Sequence, residues 1–204
     1  MLTQTQISQE AKFEQTLAFH CAPAMAGIKP ADLISWSGTP QETQRLLTTF
    51  SNGLSKAGIC FRLLCCCRSR CLILVYRGEH LRRQLERKEV RALLRRDGYP
   101  VDQGMEAMLD YLGEQMARSE DFPHEVGLFL GYPVEDVEGF RRNGGQGYKC
   151  CGLWKVYSDV DRAQKCFRQY SCCRRALCRR VQSGCRLNQV FQKQVKAVNA
   201  VFIQ

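Results

Sequence analysis

No apolar run in the sequence approaches the roughly 18–20 residues that a membrane-spanning helix needs; the longest, Leu63 to Cys67 and Cys71 to Tyr76, are far shorter. Met1 to Glu10 has neither the basic flank nor the apolar stretch of a secretory signal, so no membrane insertion and a cytoplasmic location are expected. A phosphate-cradling loop is also missing: the glycines of Asn143 to Gly147 follow a helical pattern instead of joining a strand to a helix. No helix-turn-helix, zinc-finger or aromatic sheet motif accompanies the arginines. No signature of a known catalytic site is present either, which leaves binding as the simpler expectation.

What the sequence does hold is cysteine and charge. The chain has 204 residues, 45% hydrophobic and 25% charged, a composition that excludes collagen-like and disordered classes and suffices for a core without staples. Its 13 cysteines are odd in number, and with a reducing compartment expected no disulfide framework is read from them. The net charge of +10 is distributed in blocks. Residues 62–97 and 141–186 are strongly basic, 101–140 carries its carboxylates against Arg118 alone, and 1–61 is balanced. Such blocks either neutralise one another in the fold or leave a basic docking face.

Apolar spacing gives a helix near residues 10–21, with a short strand around Ala18 as the alternative, and then an irregular or briefly extended segment from Ala24 to Trp36. Thr39 and Pro40 open a helix over 40–56. An antiparallel hairpin follows over 59–76, turning through Arg68, Ser69 and Arg70. Helices are expected at 79–96, 102–118 and 160–181, strands at 124–130 and 148–157, and a short helix through Val137 and Phe140. The expected fold is a single α+β domain, a mixed sheet of about four strands covered by four or five helices. A flexible connection is placed near 143–147 and a weakly structured tail from 184.

Four chemistries compete. A thiol enzyme, hydrolase or transferase, would pair Cys21 with His124, although Cys21 stands at a helix carboxyl end, where the dipole opposes a thiolate. A metal or redox site would draw on Cys67, Cys71, Cys150 and Cys173 for zinc or iron; their spacing is poor, and no cofactor is the primary expectation. A polar and aromatic surface of His124, Glu125, Trp154, Lys155 and Tyr157 is the candidate for a ligand or partner. A basic surface of Arg82, Arg87, Arg168, Arg175 and Arg179 would dock an acidic protein, with nucleic acid as the alternative partner.

The stretch from His124 through Gly131, Tyr132, Pro133, Glu135 and Asp136 to Val137, followed by Gly152 to Tyr157, resembles an uncharacterised family of small proteins from anaerobic Firmicute bacteria. Cys21-Ala22-Pro23 and Gly27 to Pro30 resemble that family's amino-terminal block. The resemblance implies a bacterial cytosolic protein of a domain-of-unknown-function family. Through relatives encoded near flavodoxins, it also implies a flavodoxin as a candidate acidic partner. The expected activity is that of a non-enzymatic accessory or regulatory protein.

Overall fold

The computed structural model describes residues 8–67, 70–118 and 122–192. In chain order these form α1 (Gln9–His20), α2 (Ala22–Met25), β1 (Ala31–Ser37), α3 (Pro40–Leu54), β2 (Ile59–Cys67) and β3 (Arg70–Arg77). There follow α4 (Gly78–Glu86), α5 (Lys88–Arg96), α6 (Met105–Arg118), α7 (Val126–Phe129), α8 (Val134–Arg142), β4 (Cys150–Cys151), β5 (Lys155–Val156) and α9 (Val160–Gln182). Residues 187–192 are again helical, and Leu187, Val190 and Phe191 are buried, so the start of the expected loose tail is docked. The rest of that tail, and the hairpin turn at 68–69, lie outside the described residues.

Local chemistry sets the clearest boundaries. Thr39 accepts a hydrogen bond from the Glu42 amide at 3.2 Å while Glu42 accepts one from the Thr39 amide at 3.0 Å, a reciprocal cap with Pro40 in the first turn. Asp159 caps α9 by accepting from the Arg162 amide at 3.0 Å.

The sheet is three-stranded in the order β1-β3-β2 and antiparallel throughout. Its alternation buries both faces. Ile34, Ile73 and Val75 point to one side, where Phe13, Leu17, Met25, Leu46, Leu47, Leu177 and Phe191 cover them from α1, α2, α3, α9 and the final helical turn. Ala31, Leu74 and Tyr76 point to the other, against Leu81, Leu85, Leu94, Leu109, Leu112 and Phe129 from α4 to α7. One sheet shared by two cores makes this a single α+β domain in three layers. Against β2, α6 packs at Gly113, where an added Cβ would stand 2.6 Å from the carbonyl oxygen of Leu64. Leu64 is also where the β2–β3 register shifts.

Five expectations change. The expected strand at 124–130 is the short helix α7, because its apolar run is buried among helices and does not pair with the sheet. The third strand is β1, from the segment read as irregular or briefly extended and not counted among the strands of the expected sheet; it pairs with β3 from Ala31↔Tyr76 to Ser37↔Arg70. The expected strand at 148–157 reduces to the two-residue strands β4 and β5, a separate hairpin. The expected helix 79–96 breaks at Arg87, whose extended backbone (φ −60°, ψ 133°) lets both halves turn their leucines inward. Cys66 and Cys71, opposite each other across β2 and β3 with Cα atoms 4.1 Å apart, form one disulfide where none was expected. Among the described residues no helix is long and apolar enough to cross a membrane.

Candidate functional site

Where α7, α8 and the β4–β5 hairpin meet, the chain leaves an open cleft of about 500 Å³, ringed by Phe122, His124, Tyr132, Phe140 and Trp154. Asp136 organises it. This residue stands in the first turn of α8 and is 2% exposed. One carboxylate oxygen accepts from the Trp154 indole N–H at 2.7 Å; the other accepts from the backbone amides of Tyr157 and Ser158 and from the Ser158 hydroxyl, each at 2.8 Å. A single buried acid thereby ties the hairpin to α8 and leaves no oxygen without a donor. The sequence names Asp136 only within the stretch that carries the family resemblance and does not select it as a site residue. Its position three residues after Pro133 in that stretch was the available signal.

With its indole anchored, Trp154 stacks on Tyr132 at 4.9 Å and meets Phe167 edge-on at 4.6 Å. Gly152 is required there, since a Cβ would stand 2.3 Å from the Phe167 ring. Lys155 donates to the Gly145 carbonyl at 2.7 Å, and its ammonium lies 5.5 Å from the Phe140 ring centre and 5.1 Å from that of Tyr148. The glycine run at 143–147 forms turns with positive φ at Gly144, Gly145 and Gly147, and it delivers the Gly145 carbonyl to Lys155.

Of the expected ligand surface, His124, Trp154 and Lys155 line this cleft, His124 packing its ring on Phe140 at 4.7 Å. Glu125 turns away to accept from Tyr99 at 3.2 Å and Arg141 at 3.3 Å. Tyr157 packs its ring against Gly139, where a Cβ would come within 2.5 Å, and serves as structure. Tyr132, Phe140 and Phe122 are cleft residues that the sequence does not single out; Phe122 is 49% exposed.

The other expected sites do not assemble. Cys21 is fully buried in the core on the α1 side of the sheet, and burial, then the charge of Asp32, push its thiol well above the ordinary range. His124 stands at the cleft on the other side, and among the described residues no hydrogen bond joins the two. The four expected metal ligands separate: Cys71 is in the disulfide, Cys67 is exposed at the end of β2, Cys150 is in β4, and Cys173 donates to the Ala22 carbonyl at 3.4 Å. Among the described residues no group of three or more His, Cys, Asp or Glu side chains converges to hold a metal ion.

The charge blocks resolve unequally. Four arginines of the first basic block pair with the acidic one: Arg62 with Glu106 and Asp110, Arg91 and Arg95 with Asp102, and Arg96 with Glu138. Arg82 pairs with Glu79 and Arg87 with Glu89, so these two expected docking arginines are neutralised on their own surface. From the second block, Arg141 and Arg186 find carboxylates. Among the described residues, none of the α9 cations, Arg162, Lys165, Arg168, Arg174, Arg175, Arg179 and Arg180, does. Arg168, Arg175 and Arg179 are exposed, and helical geometry places them within about 40° of arc and about 16 Å of length, opposite the buried Ala163, Tyr170 and Leu177.

Residues 17–191 match the family described as "Protein of unknown function (DUF3793)", and the chain belongs to that family. No curated protein and no solved structure matches the chain.

Proposed function

We propose that this member of a family without an assigned function is a non-enzymatic accessory protein that docks an acidic protein partner along α9. One observation carries the reading: the fold pairs Arg62, Arg91, Arg95 and Arg96 of the first basic block with the acidic block and leaves the α9 stripe of Arg168, Arg175 and Arg179 without carboxylates among the described residues. Arginine suits such a surface because its fork donates two parallel bonds to a carboxylate. Arg82 and Arg87 are dropped from the docking face because each already has a carboxylate partner. Supporting the non-enzymatic part, both oxygens of the acid at the cleft are engaged by the hairpin, and the best thiol is buried with its proton held tightly.

The test is capture from the source cells on immobilised full-length chain at low salt, followed by identification and reconstitution with the purified partner, a flavodoxin being the first to try. An acidic protein is expected to bind and to be released as salt rises, since charges more than about 8–10 Å apart are screened near physiological ionic strength. Recovery of nucleic acid alone would replace this reading with the phosphate-binding one.

A further inference from the structure

We infer that the aromatic cleft between α7, α8 and the β4–β5 hairpin is a small-molecule site for a planar, largely apolar ring compound that carries one anionic group. The inference is independent of the α9 docking surface and concerns a different part of the molecule.

Size comes first. A cleft of about 500 Å³ falls within the roughly 300–1,000 Å³ of typical small-molecule pockets. Shape follows from the lining. The stacked Tyr132–Trp154 pair is held in place from behind by Asp136 and Phe167, so it presents a preformed flat wall that needs no ordering on binding. Ring-bearing walls favour flat ligands, which pack in offset-stacked or edge contacts. At the mouth, Phe122 (49% exposed) and Leu153 (41% exposed) hold apolar surface in water that such a ligand would cover.

The charge of the ligand follows from the donor count. Both Asp136 oxygens already accept from the hairpin, three donors on one and the Trp154 indole on the other, so this acid is committed to holding the hairpin and not to a cationic ligand. Lys155 is the cation of the lining. Of its three N–H donors one goes to Gly145, and among the described residues no carboxylate pairs with it. A ligand anion placed at Lys155 would gain a charge-assisted hydrogen bond in a partly desolvated setting.

The probes are 8-anilinonaphthalene-1-sulfonate, an aromatic anion, and 1-aminoanthracene, a neutral planar compound. Both are titrated into the full chain with Trp36→Phe, which leaves Trp154 as the reporting tryptophan. Saturable binding of one molecule per chain with quenching of Trp154 emission is expected for both. Phe122→Asp and Leu153→Asp, separately, are expected to weaken both probes about tenfold while the chain still melts cooperatively. Lys155→Met is expected to weaken the sulfonate about five- to tenfold and the neutral probe less than about twofold. Non-saturable binding, an unquenched Trp154, or binding indifferent to both rim variants would overturn the site. Equal loss of both probes in Lys155→Met would overturn the anionic assignment, and probe binding that appears only as the protein self-associates would replace the ligand with a second copy.

Discussion

Asp136 holds the cleft and the hairpin together, and its removal can be costed from its bonds. Asp136→Ala deletes the acceptor for the Trp154 indole, two backbone amides and the Ser158 hydroxyl. Hydrogen bonds to a charged partner contribute about 1.5–3 kcal/mol each, but the donors share one carboxylate and part of the hairpin can reach water once released. The expected loss is therefore about 3–5 kcal/mol, not the sum of the bonds. For a chain of this length that lowers the melting temperature by roughly 6–20 °C. Asp136→Asn separates the two oxygens. Its carbonyl can keep the Tyr157 and Ser158 donors, but its amide then faces the indole N–H, donor against donor. About 1–3 kcal/mol is expected, with Trp154 emission shifted to the red as the ring loosens. Urea unfolding of both variants in the Trp36→Phe background measures stability and the local environment together. An Asp136→Ala variant within about 0.5 kcal/mol of the parent would refute the role of this residue as the tie between α8 and the hairpin.

Other consequences are equally concrete. Gly113→Ala should destabilise by about 2–3 kcal/mol in urea melts, because the new methyl meets the Leu64 carbonyl at 2.6 Å, whereas helix propensity alone would favour alanine by about 1 kcal/mol. Lys29→Met should cost about 3–5 kcal/mol near neutral pH, since Lys29 donates to Asp32 at 2.6 Å inside the protein and its loss strands a buried carboxylate. Burial raises the Asp32 carboxyl above 3.8 although Lys29 and the Ala24 amide oppose the shift. Just above that pH the native state keeps a proton that the unfolded chain has released, so the Asp32 contribution to stability declines as pH rises through that interval. The stability of the parent minus that of Asp32→Asn should fall with pH there, and a rising difference would contradict the buried setting.

Much of the architecture was legible because it is written in local chemistry. Thr39-Pro40 and Asp159 announce their helices through caps, and Cys71 to Tyr76 reads as a strand through its branched residues. The break at Arg87 was legible in principle. Leu85 to Val90 is a five-residue step, which turns a continuous helix about 140° off its apolar face. The short apolar run at Val126 to Leu130 carries no such phase information, and only its helical neighbours decide between strand and helix. β1 was legible only as a brief extended alternative because Asp32 breaks its apolar pattern, and the partner that makes a buried aspartate tolerable, Lys29, lies outside the strand. At the cleft, the sequence identified His124, Trp154 and Lys155 by residue type. That Asp136 turns back to bind the indole depends on a contact across 18 residues, which no local pattern encodes. Charge pairing between the basic and acidic blocks is likewise tertiary, and it decides which arginines remain for a partner.

The central claim, that α9 and not α4 is the docking surface, is tested by the affinity of the reconstituted acidic partner for two charge-reversed chains at low salt. Reversing Arg168, Arg175 and Arg179 to glutamate should weaken binding about 30-fold or more and flatten its salt dependence, without lowering the melting temperature, because all three side chains are exposed. Reversing Arg82 and Arg87, which already hold Glu79 and Glu89, should change it less than about threefold. The contrary result, full affinity in the α9 variant with loss in the α4 variant, would place the partner on the other basic block and contradict the account.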